Sequence, residues 1–335
     1  MSVDGIVVDP RVSSLPLHVL LGDIGATNAR FAILANGVLG PVRRFDVANY
    51  PQFADVVTAF LNGSSHRVTH ALLAVAGPID RESCALTNCS WTIDAHQIRQ
   101  IFSLEARLVN DFEATALSLP NLTAADLCRI GTGRAIASAP TLVLGPGTGL
   151  GVACLIPDFD NRMVIASEGG HATLAGMCGG EDAIIEHLRR RFGHVSAERA
   201  ISGGGLENIY QAIGAIDGRD IAPLNAAEIT ESALAGRCQT AYAALKMFCA
   251  FLGSFAGNVA LTFGAQGGVY IAGGIAPRIV DFIAQSEFRE RFEAKGRFQT
   301  YLEAIPTSVI MHPAATFLGL KSLIEYSPGR ATLHF

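Results

Sequence analysis

The chain is 335 residues long, half of them hydrophobic and 16% charged, with a net charge of -5 and an isoelectric point near 6.0. Such a chain can bury a large core, is not disordered, and offers no positive field to nucleic acid or to an anionic membrane, so a small solute is the expected partner. The length predicts about two domains, because single cores stop growing near this size.

Residues 1–17 carry acids early and no basic stretch ahead of an apolar one, so no secretory signal is expected and the stretch reads as a short lead-in. Residues 18–21 are apolar, Gly22-Asp23-Ile24-Gly25-Ala26-Thr27-Asn28 follows, and 31–34 are apolar again, which predicts strand, tight turn, strand. The glycines and the Thr/Asn pair let a turn present backbone N–H groups to an anion, and Asp23 can meet a cation such as a phosphate-bound Mg2+. The segment therefore reads as a phosphate-binding hairpin, although an ordinary Asp/Gly turn has the same signature. A third strand is predicted at 42–47 and a helix at 51–61. The apolar run 70–76, ended by Gly77-Pro78, has the pattern of a strand covered on both faces. Leu86-Thr87-Asn88 and Trp91 read as a loop, and a helix near 94–102 takes Asp94 as its cap.

A strand over 106–109 then ends in Asn110-Asp111, where an alanine-rich helix begins. In open α/β sheets ligands gather at the carboxyl ends of strands, which makes Asp111 a candidate general base; capping the helix is the other role open to it. Residues 141–144, the loop Gly145-Pro146-Gly147-Thr148-Gly149-Leu150-Gly151 and residues 152–156 repeat the pattern of the first hairpin. The loop is not the dinucleotide fingerprint, because position 150 is Leu and the loop feeds a strand. Two such hairpins suggest two related half-folds, each with one phosphate loop. None of the three lysines, Lys246, Lys295 and Lys321, follows a glycine, so backbone amides and a metal ion would do the charge work on any nucleotide.

A strand at 162–166 leads into Ser167-Glu168-Gly169-Gly170-His171, where Glu168 and His171 could orient polar ligand groups, bind metal, or form a capped turn with a solvated Glu. The amphipathic stretch 180–192 predicts a helix stopped by Gly193, with Arg189-Arg190-Arg191 as a solvated face. Glu198 is a further candidate ligand or a first-turn helix charge, and Ser202-Gly203-Gly204-Gly205 opens a helix through 210. A long helix over 238–263 is rich in Gly and Ala and contains Ser254, Asn258 and Thr262, which fits a buried helix packed closely on a neighbour better than a membrane span. A buried strand from 267 runs into Gly273-Gly274, bare enough for adenine or ribose to lie against the backbone, or simply a tight strand-to-helix turn. A helix over 282–292, a strand over 308–311 and a closing helix over 314–326 complete the chain. The seven cysteines are scattered, with no C-x-x-C pair, and read as reduced thiols of a cytoplasmic protein.

As an ordered set, Gly22-Asp23-Ile24-Gly25-Ala26-Thr27-Asn28-Ala29-Arg30, Leu108-Val109-Asn110-Asp111-Phe112, the 145–151 loop, Glu168-Gly169-Gly170-His171, His194-Val195-Ser196-Ala197-Glu198-Arg199 and Ile271-Ala272-Gly273-Gly274-Ile275 resemble the bacterial glucokinases of the hexokinase-type, non-ROK group, over about residues 18–326. The resemblance implies the duplicated actin-like ATPase (ribonuclease H-like) fold, with two α/β domains around a central cleft. The small domain would span 1–121 and be completed by a C-terminal helix at 314–335; the large domain would span 122–313. It further implies ATP-dependent phosphorylation of D-glucose at the 6-hydroxyl, with Mg2+, in a cytoplasmic homodimer that engages neither nucleic acid nor membrane. By motif position Asp111 would be the base. Asn110, Asp111, Glu168, His171 and Glu198 would hold the sugar. Gly22, Asp23, Ile24, Gly25, Ala26 and Thr27 with Gly147, Thr148 and Gly149 would hold phosphates, Gly273 and Gly274 the adenosine side, and Asp23 would meet Mg2+ through water. ROK kinases carry a C-x-C-G-x-x-G-C zinc motif after the E-G-G-H stretch; here Met177-Cys178-Gly179-Gly180 has one cysteine, so no structural zinc is expected. A non-catalytic glucose sensor, a hexose kinase of different sugar preference and a chaperone-like ATPase are the alternatives. The last lacks room for a substrate domain and an acid in the second loop.

Overall fold

The computed structural model describes residues 18–64, 66–86, 89–157 and 163–325. The expected lead-in at 1–17, Thr87 and Asn88 of the loop, Arg162 and the final residues of the closing helix lie outside the described residues. The chain divides into two compact units, whose described parts are 18–109 and 110–325.

The first unit is built on a six-stranded sheet: β1 (His18–Ile24), β2 (Asn28–Ala35), β3 (Val38–Leu39), β4 (Arg43–Asp46), β5 (His70–Val75) and, after the helices α1 (Phe53–Leu61) and α2 (Ala95–Phe102), β8 (Glu105–Asn110). A separate two-stranded ribbon, β6 (Ser83–Ala85) and β7 (Thr92–Asp94), precedes α2. The order is β3-β2-β1-β5-β8, with β4 also on β2; β1 runs antiparallel to β2 and parallel to β5. Alternate residues of these strands, among them Leu20, Ile24, Phe31, Ile33, Leu73 and Val75, meet Phe53, Val56, Val57 and Phe60 of α1 and Ile98 of α2 in one core. α1 starts at Phe53, two residues later than its apolar pattern suggests, because Gln52 and Asp55 form a reciprocal capping box there. Asp94 caps α2 as expected, accepting the Gln97 N–H at 3.0 Å.

The second unit opens with α3 (Asp111–Ser118) and carries the sheet β9 (Leu127–Ile130), β10 (Thr141–Pro146), β11 (Leu150–Ile156), β12 (Met163–Ser167), β13 (Gly268–Ile271) and β14 (Thr307–Ile310), in the order β12-β11-β10-β13-β14-β9. Its helices are α4 (Gly179–Phe192), α5 (Gly203–Ile216), α6 (Ala226–Leu234), α7 (Gln239–Phe263), α8 (Val280–Gln285), α9 (Phe288–Glu293), α10 (Gln299–Glu303) and α11 (Ala315–Glu325). The sheet is covered on both faces. Leu142, Leu144 and Val152 pack into the core shared with α4 to α7, while Val143, Ala153 and Leu155, pointing the other way, pack with Ala116 and Leu117 of α3 and Ala315 of α11. That packing explains a difference from the sequence expectation. The boundary falls after Val109, where 121 was expected, and α11 stays with α3 but both belong to the second unit.

Two other expectations change. One helix was expected over 282–292, but Ser286 interrupts it, its hydroxyl oxygen accepting the Phe288 N–H that opens α9. α7 is long and apolar enough to cross a membrane by length and composition, yet 78% of its most apolar window is buried. Its glycines account for the composition. A Cβ at Gly253 would collide with the Phe288 carbonyl, and one at Gly257 would stand 2.5 Å from the Phe292 oxygen, so α9 lies directly on the α7 backbone.

Candidate active site

The first-hairpin candidates fall in the first unit and the remaining candidates in the second. In the first hairpin the turn is shorter than expected: Gly22, Asp23 and Ile24 belong to β1, and only Gly25, Ala26 and Thr27 make the turn, closed by the Gly25 N–H donating to the Asn28 carbonyl at 2.9 Å. Gly22 is there for packing, since a Cβ would stand 2.5 Å from Leu73 Cδ2. Gly25 to Thr27 are half-buried or exposed. Asp23 lies opposite Arg30 in the strand register and is ion-paired with it; Arg30 Nε donates to Asp23 Oδ2 at 2.9 Å and Nη2 adds a second, close contact. Among the described residues no group of three His, Cys, Asp or Glu side chains could hold a metal ion. A single carboxylate already committed to an arginine does not fit a resident Mg2+ site. Any Mg2+ would therefore enter with the nucleotide as part of the substrate.

At the β8–α3 junction the two Asx residues divide the labour. Asn110, not Asp111, caps α3: its Oδ1 accepts the N–H groups of Phe112 and Glu113 at 3.0 and 3.1 Å. Asp111 is the first helical residue, half-buried, with its Oδ1 accepting the Phe112 N–H at 2.9 Å. Asp111 thus shares the Phe112 N–H with the capping Asn110 and is one of two acids in the first turn of α3. The cap in turn occupies Asn110 Oδ1, so a sugar contact from Asn110 would have to come from its Nδ2 donor.

Phe112 ties this junction to the second hairpin, its ring lying where a Cβ of Gly151 would be. The hairpin turn is Gly147, Thr148 and Gly149, with the Gly147 N–H donating to the Gly149 carbonyl at 2.8 Å. Neighbours hold it by backbone contact. The Gly203 N–H at the start of α5 donates to the Gly147 carbonyl at 2.9 Å. Gly273, with φ of 84°, leaves no room for a Cβ beside the Pro146 carbonyl, and Gly274 follows it, both exposed. Glu198 reaches the same turn: its Oε2 accepts the Leu150 N–H at 2.9 Å and stands 2.5 Å from where a Gly149 Cβ would be. Glu198 is therefore both the first-turn charge of a 3-10 turn, Ala197–Arg199, and a side chain bound to the hairpin.

Glu168 and His171 flank a single 3-10 turn, Gly169–His171, both exposed, with Glu168 Oε2 and His171 Nε2 3.7 Å apart. The segment after them pairs with the Glu198 segment: Ala197 N–H donates to the Ala172 carbonyl at 2.8 Å and Leu174 N–H to the Val195 carbonyl at 2.9 Å. The second unit therefore gathers Glu168, His171, Glu198, Gly147, Thr148, Gly149, Gly273 and Gly274 around one hairpin. Phe112 packed on Gly151 brings Asn110 and Asp111 to its base.

The pattern of the family described as Glucokinase matches residues 20–326. The glucokinase of Nitrobacter hamburgensis is 43% identical over 307 residues, covering 91% of this chain and 96% of that protein. The chain belongs to the glucokinase family. The crystal structure of a glucokinase from an Antarctic psychrotroph superposes with a TM-score of 0.79 at 35% identity, covering 92% of this chain and 99% of that one. The "Bifunctional protein glk" of Paraburkholderia xenovorans is 41% identical over 91% of this chain, which spans about half, 48%, of that protein's length.

In this glucokinase-family chain the sequence reading missed the parts that act across long separations. The contact of Phe112 with Gly151 and the α5 start closing on Gly147 carry no local signal beyond an aromatic and a glycine run. The arginine run is an exposed face, as expected, with partners of its own. Arg189 and Arg190 pair with Glu186, but Arg191 donates to Asn208 Oδ1 at 3.0 Å, and Arg191 and Arg199 both lie over the Phe192 ring.

Proposed function

We propose that the chain transfers the γ-phosphoryl group of ATP to the 6-hydroxyl of D-glucose, giving glucose 6-phosphate and ADP, with Asp111 as general base. Membership of the glucokinase family supports the reaction. The observation that carries the residue assignment is the geometry at β8–α3, where Asn110 caps α3 and sets the half-buried Asp111 as its first residue, at the carboxyl end of β8. A sugar alcohol is a weak nucleophile. As its O6–P bond forms and the bond from Pγ to the β-phosphate oxygen breaks, the hydroxyl proton passes to the Asp111 carboxylate. ATP arrives with Mg2+, which neutralises charge on the phosphates. In this reading Glu168, His171 and Glu198 accept and donate to the sugar hydroxyls, with Asn110 contributing its amide N–H. The carboxylate of Glu198 beside Gly149 favours sugar over phosphate on that side of the turn, since like charges repel. The turns at Gly25, Ala26 and Thr27 and at Gly147 and Thr148 hold phosphate oxygens through backbone N–H groups.

The reading also takes the two units as halves of a duplicated actin-like ATPase. Their sheets support it: each has an antiparallel hairpin, β1–β2 or β10–β11, whose first strand pairs in parallel with the next strand inward, β5 or β13. A cytoplasmic homodimer belongs to the same proposal and is checked by sedimentation. The deciding experiment is ADP release by the purified protein with and without glucose, together with Asp111→Asn. The variant is expected to fold, to bind glucose, and to lose about 10²- to 10⁴-fold in turnover. A folded variant of near-normal turnover overturns the assignment.

A further inference from the structure

Glu181 is a carboxylate with no exposed surface, in the first turn of α4. Burying such a charge costs several kcal/mol unless it is paired, and here both oxygens are engaged. Oε1 forms an ion pair with Arg291 of α9, whose side chain is itself largely buried, and Oε2 accepts the Met177 N–H at 2.6 Å. Arg291 is fixed in turn by its helix. Gly253 and Gly257 seat α9 on the backbone of α7, and Lys295, just beyond α9, donates from Nζ to the Ser254 carbonyl at 2.9 Å. The hydroxyl of Ser254 donates to Met177 Sδ at 3.1 Å. Met177 is thus held at its amide by Glu181 and at its sulfur by α7.

Met177 closes the segment that begins with Glu168 and His171. Between Ala172 and Cys178 that segment has no helix of its own and is mostly exposed, tied upstream where Ala172 and Leu174 bond to Ala197 and Val195 and where the Thr173 hydroxyl meets His194 Nε2 at 3.0 Å. Buried ion pairs add little stability over apolar residues of the same volume, and their best-attested use is to select one geometry. We propose that Glu181 and Arg291 are positioning residues for the sugar-binding turn: the pair anchors Met177 to the α7–α9 frame and so holds Glu168 and His171 at the spacing that glucose hydroxyls require. The inference rests on the reading of Glu168 and His171 as sugar contacts.

The test is the apolar double substitution Glu181→Met with Arg291→Met, compared with Glu181→Gln with Arg291→Met, which retains an acceptor for the Met177 N–H. The first variant is expected to keep the wild-type circular dichroism spectrum and melting temperature. In the ligand-free protein its amides over 169–177 should exchange about tenfold faster, and its KM for glucose should rise about tenfold while that for ATP stays put. The glutamine variant should recover most of both losses. Wild-type exchange in the first variant, faster exchange with an unchanged glucose KM, or no difference between the two variants each overturns the proposal. If the wild-type protein fails to phosphorylate glucose, the functional reading fails. The exchange measurement then still decides whether the pair anchors the turn: acceleration supports the anchoring, and its absence overturns it.

Discussion

The two glycine hairpins look alike in sequence and are held in different ways. In the first, between β1 and β2, the glycine before the acid makes room for a side chain, Leu73, and the acid is tied across the ladder to Arg30. In the second, between β10 and β11, room is needed for backbone and for a ring: the Pro146 carbonyl against Gly273, the Gly203 N–H on Gly147, Phe112 over Gly151. The first hairpin thus meets the ends of side chains, whereas the second is wedged among backbone groups and a ring. A glycine hairpin can be held either by charge balance along one strand pair or by shape imposed by its surroundings.

The comparison breaks most visibly at the wedge. Gly273→Ala adds a Cβ against a carbonyl at a backbone angle that only glycine adopts easily, and should destabilise by about 1–3 kcal/mol, lowering the melting temperature by several degrees. Gly22→Ala meets side-chain ends alone, Leu73 Cδ2 at 2.5 Å with Ile24 Cδ1 and Phe31 Cε1 at 3.2 Å, and should cost less, about 1 kcal/mol. Equal losses in a denaturant titration would erase the distinction. Beside the second hairpin, Glu168→Ala should raise the KM for glucose about tenfold or more, as expected for losing hydrogen bonds to a charged group. Thr148→Ala, at the exposed tip of the turn, should leave that KM nearly unchanged; equal effects would argue against separate sugar and phosphate sites.

A smaller effect separates the two units by pH. His70, which opens β5 beside β1, has its pKa lowered from 6.5, chiefly by burial, against the opposing pull of the Glu105 charge. The unfolded chain therefore binds this proton more readily than the folded one, and stability falls as pH drops below the unfolded value. The first unit should weaken between neutral pH and about pH 5, followed through the buried tryptophan, Trp91, and His70→Gln should flatten the dependence. A profile identical in the variant would exclude His70 as the cause.

What could be read from the chain was what repeats locally. The apolar runs at 18–24 and 70–75, the strand-to-helix switch at Asn110-Asp111, the 3.6-residue pattern of α4 and the small-residue composition of α7 each carry their period within a few turns of the chain. The candidate site was legible as a set of polar residues next to glycines. Their duties were not. Asn110 and Asp111 are equally good caps by type, and only the fold assigns the cap to the first. Glu181 resembles any first-turn helix acid until α9, more than 100 positions on, supplies its arginine. β9 passed unnoticed because four residues with one remote partner have no local period, and α6 because its cap, Asn225 with Glu228, opens a helix with few buried residues.

That remote partnership has a bearing on how the molecule is made. β9 is zipped to β14, and the Thr307 hydroxyl reaches the Ile130 carbonyl across 177 positions of chain. The first sheet has all its strands once residue 110 has left the ribosome, whereas the second waits roughly 10–40 s more at ~5–20 residues per second for its last strand. Late in that interval α7, long and apolar, has been synthesised before the α9 helix that covers its glycine face, so nascent chains stalled between residues 263 and 293 are the ones that should depend most on chaperones.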